Sequence, residues 1–138
     1  MSSVIPPKYD DIIASAYYVW FTTVRPDGMP APTPVWFVRD GDSFVIYTTP
    51  GSQKLKFIQG NFHVSLAFTP DADAGNYFVV LGTAQVDQTV PLAINNPSYM
   101  TKYGDGLAAT GMTAESLSDA YNVPIRVTPI RIRGMEDY

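Results

Sequence analysis

Pro30, Pro32 and Pro34 are spaced by two within a segment that otherwise reads as a strand, Ala31 to Arg39. Alternate residues of a strand present their backbone groups to the same side, so one side of this segment lacks three amide donors. Such a side takes no normal ladder, and the segment must be a sheet edge or the lip of a split. Two readings follow. The prolines protect an edge against aggregation, or they leave backbone carbonyls, and the N–H of Val35, free to meet a planar ring.

The rest of the chain supplies partners for that edge. Tyr17 to Val24 is dense in aromatic and β-branched residues and predicts a strand. Arg25-Pro26-Asp27-Gly28 predicts a hairpin turn, and Asp40-Gly41-Asp42 a second one, leading into a strand over Ser43 to Thr49. Phe62, Val64, Leu66 and Phe68 alternate with His63, Ser65 and Ala67 at strand period. Tyr77 to Gln88 and Ile125 to Arg133 complete six strands. In the last of these the apolar positions shift from odd to even at Pro129, which predicts a bulge. Short helices are expected from Lys8 to Ser15, from Ser52 to Gly60, from the Asn96 cap to Tyr103, and from the Thr113 cap to Tyr121. The expected fold is mainly β, a six-stranded antiparallel barrel with short helices, in one domain over residues 1–138.

Composition narrows function by exclusion. With no cysteine and one histidine, thiolate chemistry, disulfides and most metal sites drop out, and no metal is expected. A net charge of −4 without a basic cluster disfavours nucleic acid. The start of the chain lacks the pattern of a secretory leader, and its longest apolar run, Ile12 to Phe21, is too short to span a bilayer. No membrane partner is expected and the location is read as cytoplasmic. Nine tyrosines, seven phenylalanines and two tryptophans are enough to line both a core and either a subunit interface or a planar ligand.

The segment Pro50-Gly51-Ser52-Gln53-Lys54 begins a helix, where free N–H groups and the positive dipole end suit an anion. Thr48, Thr49 and Ser52 add hydroxyls, and Lys54 adds a point charge for phosphate. The plainer alternative is a capped helix with a solvated lysine. The segment lacks the glycines and spacing of a nucleotide-triphosphate loop.

Taken in order, the Asp-Gly turn, Pro-x-Pro-Val-Trp-Phe, the Asp-Gly-Asp turn and Tyr-Thr-Thr-Pro-Gly-Ser-x-Lys resemble the flavin and deazaflavin oxidoreductases of the FMN-binding split-barrel type. These are relatives of pyridoxamine 5'-phosphate oxidase. The likeness continues through Asn61 to Leu66, Leu81 to Ala84, Tyr99 to Gly104 and Val123 to Pro129, and so covers nearly the whole chain. The subgroup it most resembles uses the deazaflavin coenzyme F-420. That resemblance implies an oxidoreductase transferring a hydride between bound coenzyme F-420, or FMN, and a small, fairly apolar substrate. It also implies a homodimer with the cofactor in a cleft between subunits. Thr33, Pro34 and Val35 would then face the ring, Thr48 and Thr49 the ring and ribityl chain, and Ser52, Gln53 and Lys54 the phosphate.

Some relatives carry arginine where Ser52 stands, which shifts phosphate binding here toward Lys54 and backbone amides. The basic C-terminus of true pyridoxamine phosphate oxidases is not evident in Arg131 to Tyr138, and vitamin B6 oxidation is not expected. The competing function is a binding or storage protein for a flavin, haem or other planar ligand. No catalytic residue is assigned. Tyr47 and Tyr103 are candidate proton donors by chemistry alone, with packing as their plainer role. His63, the Asp71–Asp73 pair and Arg126, Arg131 and Arg133 are read as surface or structural groups.

Overall fold

The computed structural model of the protein describes residues 4–138. Met1, Ser2 and Ser3, part of the start read above as leaderless, lie outside the described residues. The strands are β1 (Val19–Val24), β2 (Pro30–Val35), β3 (Val38–Asp40), β4 (Ser43–Thr48), β5 (His63–Phe68), β6 (Phe78–Val86) and β7 (Val123–Gly134). The α-helices are α1 (Asp10–Ser15), α2 (Gln53–Gly60), α3 (Pro97–Tyr103) and α4 (Ala114–Ala120). All strand pairs are antiparallel, in one sheet of order β2-β1-β5-β6-β7-β4-β3. No helix among the described residues is long and apolar enough to cross a membrane.

The count is seven strands rather than the expected six, because Ala31 to Arg39 is not continuous. Phe37 leaves the ladder: its N–H donates to the Tyr103 hydroxyl and its carbonyl accepts from the same hydroxyl, each at 2.9 Å. The chain therefore crosses from one end of the sheet to the other at Trp36-Phe37. β2 pairs only with β1 and β3 only with β4. The proline strand is thus an edge, as the missing amides require.

Hydrogen-bond parity shows which side the prolines face. Arg25 N–H donates to the Met29 carbonyl at 2.9 Å, making that a bonded pair. Bonded pairs recur at every second position, which places Thr23/Ala31, Phe21/Thr33 and Val19/Val35 in the ladder. Pro30, Pro32 and Pro34 fall between them and turn their carbonyls away from β1. The Val35 amide points to Val19, so it is not the free donor that the sequence allowed. The outer margin of β2 offers acceptors only.

The curled sheet encloses a core in which Phe21, Phe37, Phe44, Ile46, Leu66, Phe78, Val80, Ile125 and Val127 are fully buried, with Leu55 and Ile58 of α2 closing it. A second cluster on the other face of β4 joins Val45 and Tyr47 to Tyr99, Tyr103, Leu107 and Leu117. β4 is consequently buried on both faces, which is why it reads as an unbroken apolar run. Between Leu81 and Gly82 the β6–β7 register shifts, Leu81 pairing with Arg131 and Gly82 with Pro129. Ile130 is the extra residue, and the bulge lies where the apolar phase slips.

Candidate functional site

β3 pairs with β4 only as far as Val45, so one margin of Ile46–Thr48 is left unpaired. The free margin of β2 is the sheet's other open edge. A cavity of about 330 Å³ lies between Pro34, Val35 and Trp36 on one side and Tyr47 and Thr48 on the other. Lys54 also lines it, as do Tyr99, Met112, Leu117 and Tyr121, from α3, α4 and the residues flanking α4.

Of the residues singled out in the sequence, Pro34, Val35, Thr48 and Lys54 line this cavity, whereas Thr33, Thr49, Ser52 and Gln53 do not. Thr33 shares the inward face with its pair-mate Phe21, and its Oγ1 is buried with no hydrogen-bond partner. Ser52 is the helix cap. Its Oγ accepts from Leu55 N–H at 3.2 Å and lies 2.8 Å from Thr48 Oγ1. It holds a cavity-lining hydroxyl in place rather than lining the cavity itself. Thr49 contributes its carbonyl, which accepts from Ser52 N–H at 3.2 Å. Gln53 is exposed, but its amide and that of Lys54 are in the first turn of α2 and lack intrahelical acceptors.

Lys54 is half-buried and makes no ion pair among those of the described residues. Burial without a counter-charge lowers its pKa from the ordinary lysine value. A half-buried ammonium and the free first-turn amides of α2, with an acceptor-only strand margin across the cavity, form a donor set for an anionic group attached to a flat body, while the Thr48 hydroxyl donates to Ser52 Oγ. The residues present therefore fit a phosphorylated ring cofactor.

The two tyrosines considered as proton donors are otherwise engaged. The Tyr47 hydroxyl donates to the Pro91 carbonyl and accepts from Asn96 Nδ2 at 3.0 Å, and burial raises its pKa. The Tyr103 hydroxyl ties Phe37 to the Tyr17 carbonyl, 2.7 Å away, in a wholly buried position where desolvation raises its pKa well above the usual phenol range. His63 is exposed beside Asn61, away from the cavity. Asp71 and Asp73 bond within their own loop, to Asn76 Nδ2 and Gly75 N–H. Arg126 pairs with Asp87 at 2.7 Å and Asp40 at 3.0 Å, and the hydrogen bond from the Thr89 hydroxyl, followed by that from Arg126, holds the Asp87 carboxyl down to about 2. Among the described residues no cluster of metal-ligating side chains occurs.

Lys102 holds Phe37, the residue that follows the cavity-lining Trp36. Its Nζ donates to the Phe37 carbonyl at 3.1 Å and lies 3.7 Å from the centre of the Phe37 ring. Burial pushes its pKa down to about 8. Between that value and the ordinary lysine range the unfolded chain holds a proton that the folded chain has released, so stability rises with pH there. Lys102→Met is expected to abolish this rise. In urea unfolding at pH 7.5 and 9.5, the wild type should gain stability relative to the variant at the higher pH. A constant difference would contradict the burial of the charge.

Tyr99, Met112, Leu117, Tyr121 and Trp36 were not legible as cavity residues, and Tyr47 was considered only as a proton donor. Those from α3, α4 and the flanks of α4 follow the end of β4 by 51 to 73 residues, and their apolar character alone reads as core. Trp36 had a usable signal, since it directly continues the proline margin.

Among known proteins, the family described as pyridoxamine 5'-phosphate oxidase matches residues 5–133. No curated protein matches the chain. An F-420 reductase is similar in structure, with 26% identity, 94% of this chain and 98% of that one covered, and a TM-score of 0.72. A Listeria innocua protein described as a pyridoxamine 5'-phosphate oxidase has 19% identity over 95% of this chain and 97% of its own, at a TM-score of 0.69. HutZ, a haem storage protein from Vibrio cholerae, has 13% identity over 96% and 95%, at a TM-score of 0.65. With nearly its whole length matched, and with the curled antiparallel sheet and edge cavity described above, the chain belongs to the pyridoxamine 5'-phosphate oxidase family.

Proposed function

We propose that the edge cavity binds coenzyme F-420 or FMN and that the protein is a dimeric oxidoreductase acting on a small, fairly apolar substrate in the cytoplasm. The observation that carries this reading is Lys54, a half-buried ammonium lining the cavity without an ion-pair partner, at the open first turn of α2. When bound, the cofactor supplies hydride transfer, and the protein supplies orientation and a dry site. Lys54 and the Gln53 and Lys54 amides hold the phosphate. The outward Pro34 carbonyl accepts from an N–H at the ring edge. Tyr99, Met112 and Leu117 keep water from the opposite face.

The similarity to an F-420 reductase supports the deazaflavin, while the family description is equally compatible with FMN. The dimer is proposed on the exposed apolar surface at the β7 bulge, where Ile130 is 61% exposed. A storage role for haem is disfavoured here because the chain's single histidine, His63, does not line the cavity.

Titrating the protein separately with coenzyme F-420 and with FMN, followed by absorbance and fluorescence, tests the reading. Binding of either in the micromolar range or tighter is expected, with one site per chain. An added acceptor should then oxidise the bound, reduced cofactor. Binding without oxidation by any acceptor would indicate a store, and no spectral change with either cofactor would overturn the proposal. Sedimentation of the protein as a monomer would remove the dimer.

A further inference from the structure

Trp36 lies outside the residues that the sequence marked, yet it belongs to two cavities. It lines the site just described, and with Tyr18, Trp20, Pro34 and Val35 it lines an open shelf of about 390 Å³ beside it. Pro34, Val35 and Trp36 are common to both, so the shelf is continuous with the site.

The indole is held firmly. It lies parallel to the Tyr103 ring, 4.4 Å between centres and 4° between planes, and meets Tyr17 edge-on at 5.6 Å. Tyr103 is itself wholly buried and pinned through its hydroxyl to Phe37 and Tyr17. Gly106 leaves the room that Tyr17 needs, since a Cβ there would sit 2.4 Å from its hydroxyl. One face of the indole is therefore covered, and its remaining open surface borders the site and the shelf.

We propose that Trp36 is a specificity-determining residue, a fixed stacking wall that selects a flat, uncharged acceptor over a puckered one of equal size. The inference rests on the reading that the cavity holds a planar cofactor. Charge selection follows from the lining: the shelf has no ionisable side chain other than the Tyr18 phenol, and the one ionic group of the cavity, Lys54, is the group assigned above to the cofactor phosphate. Shape selection follows from the indole, because a flat ring gains an offset stack that a caged ring does not.

The test compares binding of 1-naphthol, flat, with borneol, caged and of similar size, to the wild type, Trp36→Phe and Trp36→Leu by calorimetry, with and without FMN or coenzyme F-420. The wild type should prefer naphthol. Trp36→Leu should weaken naphthol about tenfold, the factor corresponding to ~1.4 kcal/mol of ring stacking. Borneol affinity should stay within about twofold, and Trp36→Phe should retain most of the preference. Circular dichroism confirms that the variants are folded. Equal losses for both ligands, or none for naphthol, would overturn the role of Trp36. If neither cofactor binds but the preference still depends on Trp36, the wall stands and the cofactor reading fails.

Discussion

Replacement of Lys54 with alanine is expected to weaken FMN or coenzyme F-420 binding by about 1.5–3 kcal/mol, the range for a hydrogen bond to a charged group. In dissociation constant this is roughly 10- to 150-fold. Riboflavin, which presents the same ring without phosphate, separates the causes. Its affinity should hardly change, because Lys54 is assigned to the phosphate and not to the ring. Equal losses for FMN and riboflavin would mean that the lysine shapes the cavity instead. Without ligand, the variant should be no less stable than the wild type, since Lys54 has no ion-pair partner and its burial disfavours its charge.

The same residue gives the site a pH dependence of definite sign. An incoming phosphate favours the charged lysine, so binding takes up protons once the pH approaches the lowered value of the free protein. Affinity should fall with rising pH earlier than a solvated lysine would cause. Lys54→Arg should flatten the fall, because guanidinium stays charged throughout.

What the sequence disclosed and what it withheld divide along the range of the interactions. The edge position of Pro30–Val35 was legible because a missing N–H is a property of the residue itself, wherever the chain folds. The Ser52, Asn96 and Thr113 caps were legible for a similar reason: each is satisfied within three residues, by Leu55, Tyr99 and Ser116. The break at Trp36-Phe37 was not, since its cause is the hydroxyl of Tyr103, 66 residues away. Four of the ten residues lining the candidate site, Pro34, Val35, Thr48 and Lys54, were visible on the same terms. Lys54 and Thr48 stand near a helix start that announces itself, whereas Met112, Leu117 and Tyr121 reach the cavity only through the tertiary packing of α4. The Val35 amide follows the same local rule: strand alternation puts it on the side opposite the Pro30, Pro32 and Pro34 carbonyls, and the Arg25–Met29 pair shows that this side faces β1.

Gly82→Ala is expected to destabilise the fold by about 3 kcal/mol, the upper end for overpacking a filled interior. A Cβ at this position would lie 2.3 Å from the Thr128 carbonyl oxygen, 3.0 Å from its carbon and 3.2 Å from Pro129 Cα. All three are backbone atoms of the neighbouring strand, so no rotamer change relieves the contact. Gly60→Ala serves as the control, because a Cβ there meets nothing within 4 Å, and it should leave the unfolding midpoint nearly unchanged. The close approach coincides with the bulge, where Ile130 is inserted between the paired residues Pro129 and Arg131 next to Gly82, and the bulge is proposed as its source. Removing Ile130 would pair Pro129 with Gly82 and Arg131 with Leu81 in regular succession, keeping Ile132 inward and the arginines outward. Deletion of Ile130 in the Gly82→Ala background is therefore expected to recover part of the lost stability in urea unfolding. If the deletion instead adds its own cost in full, the bulge is not the source of the close approach.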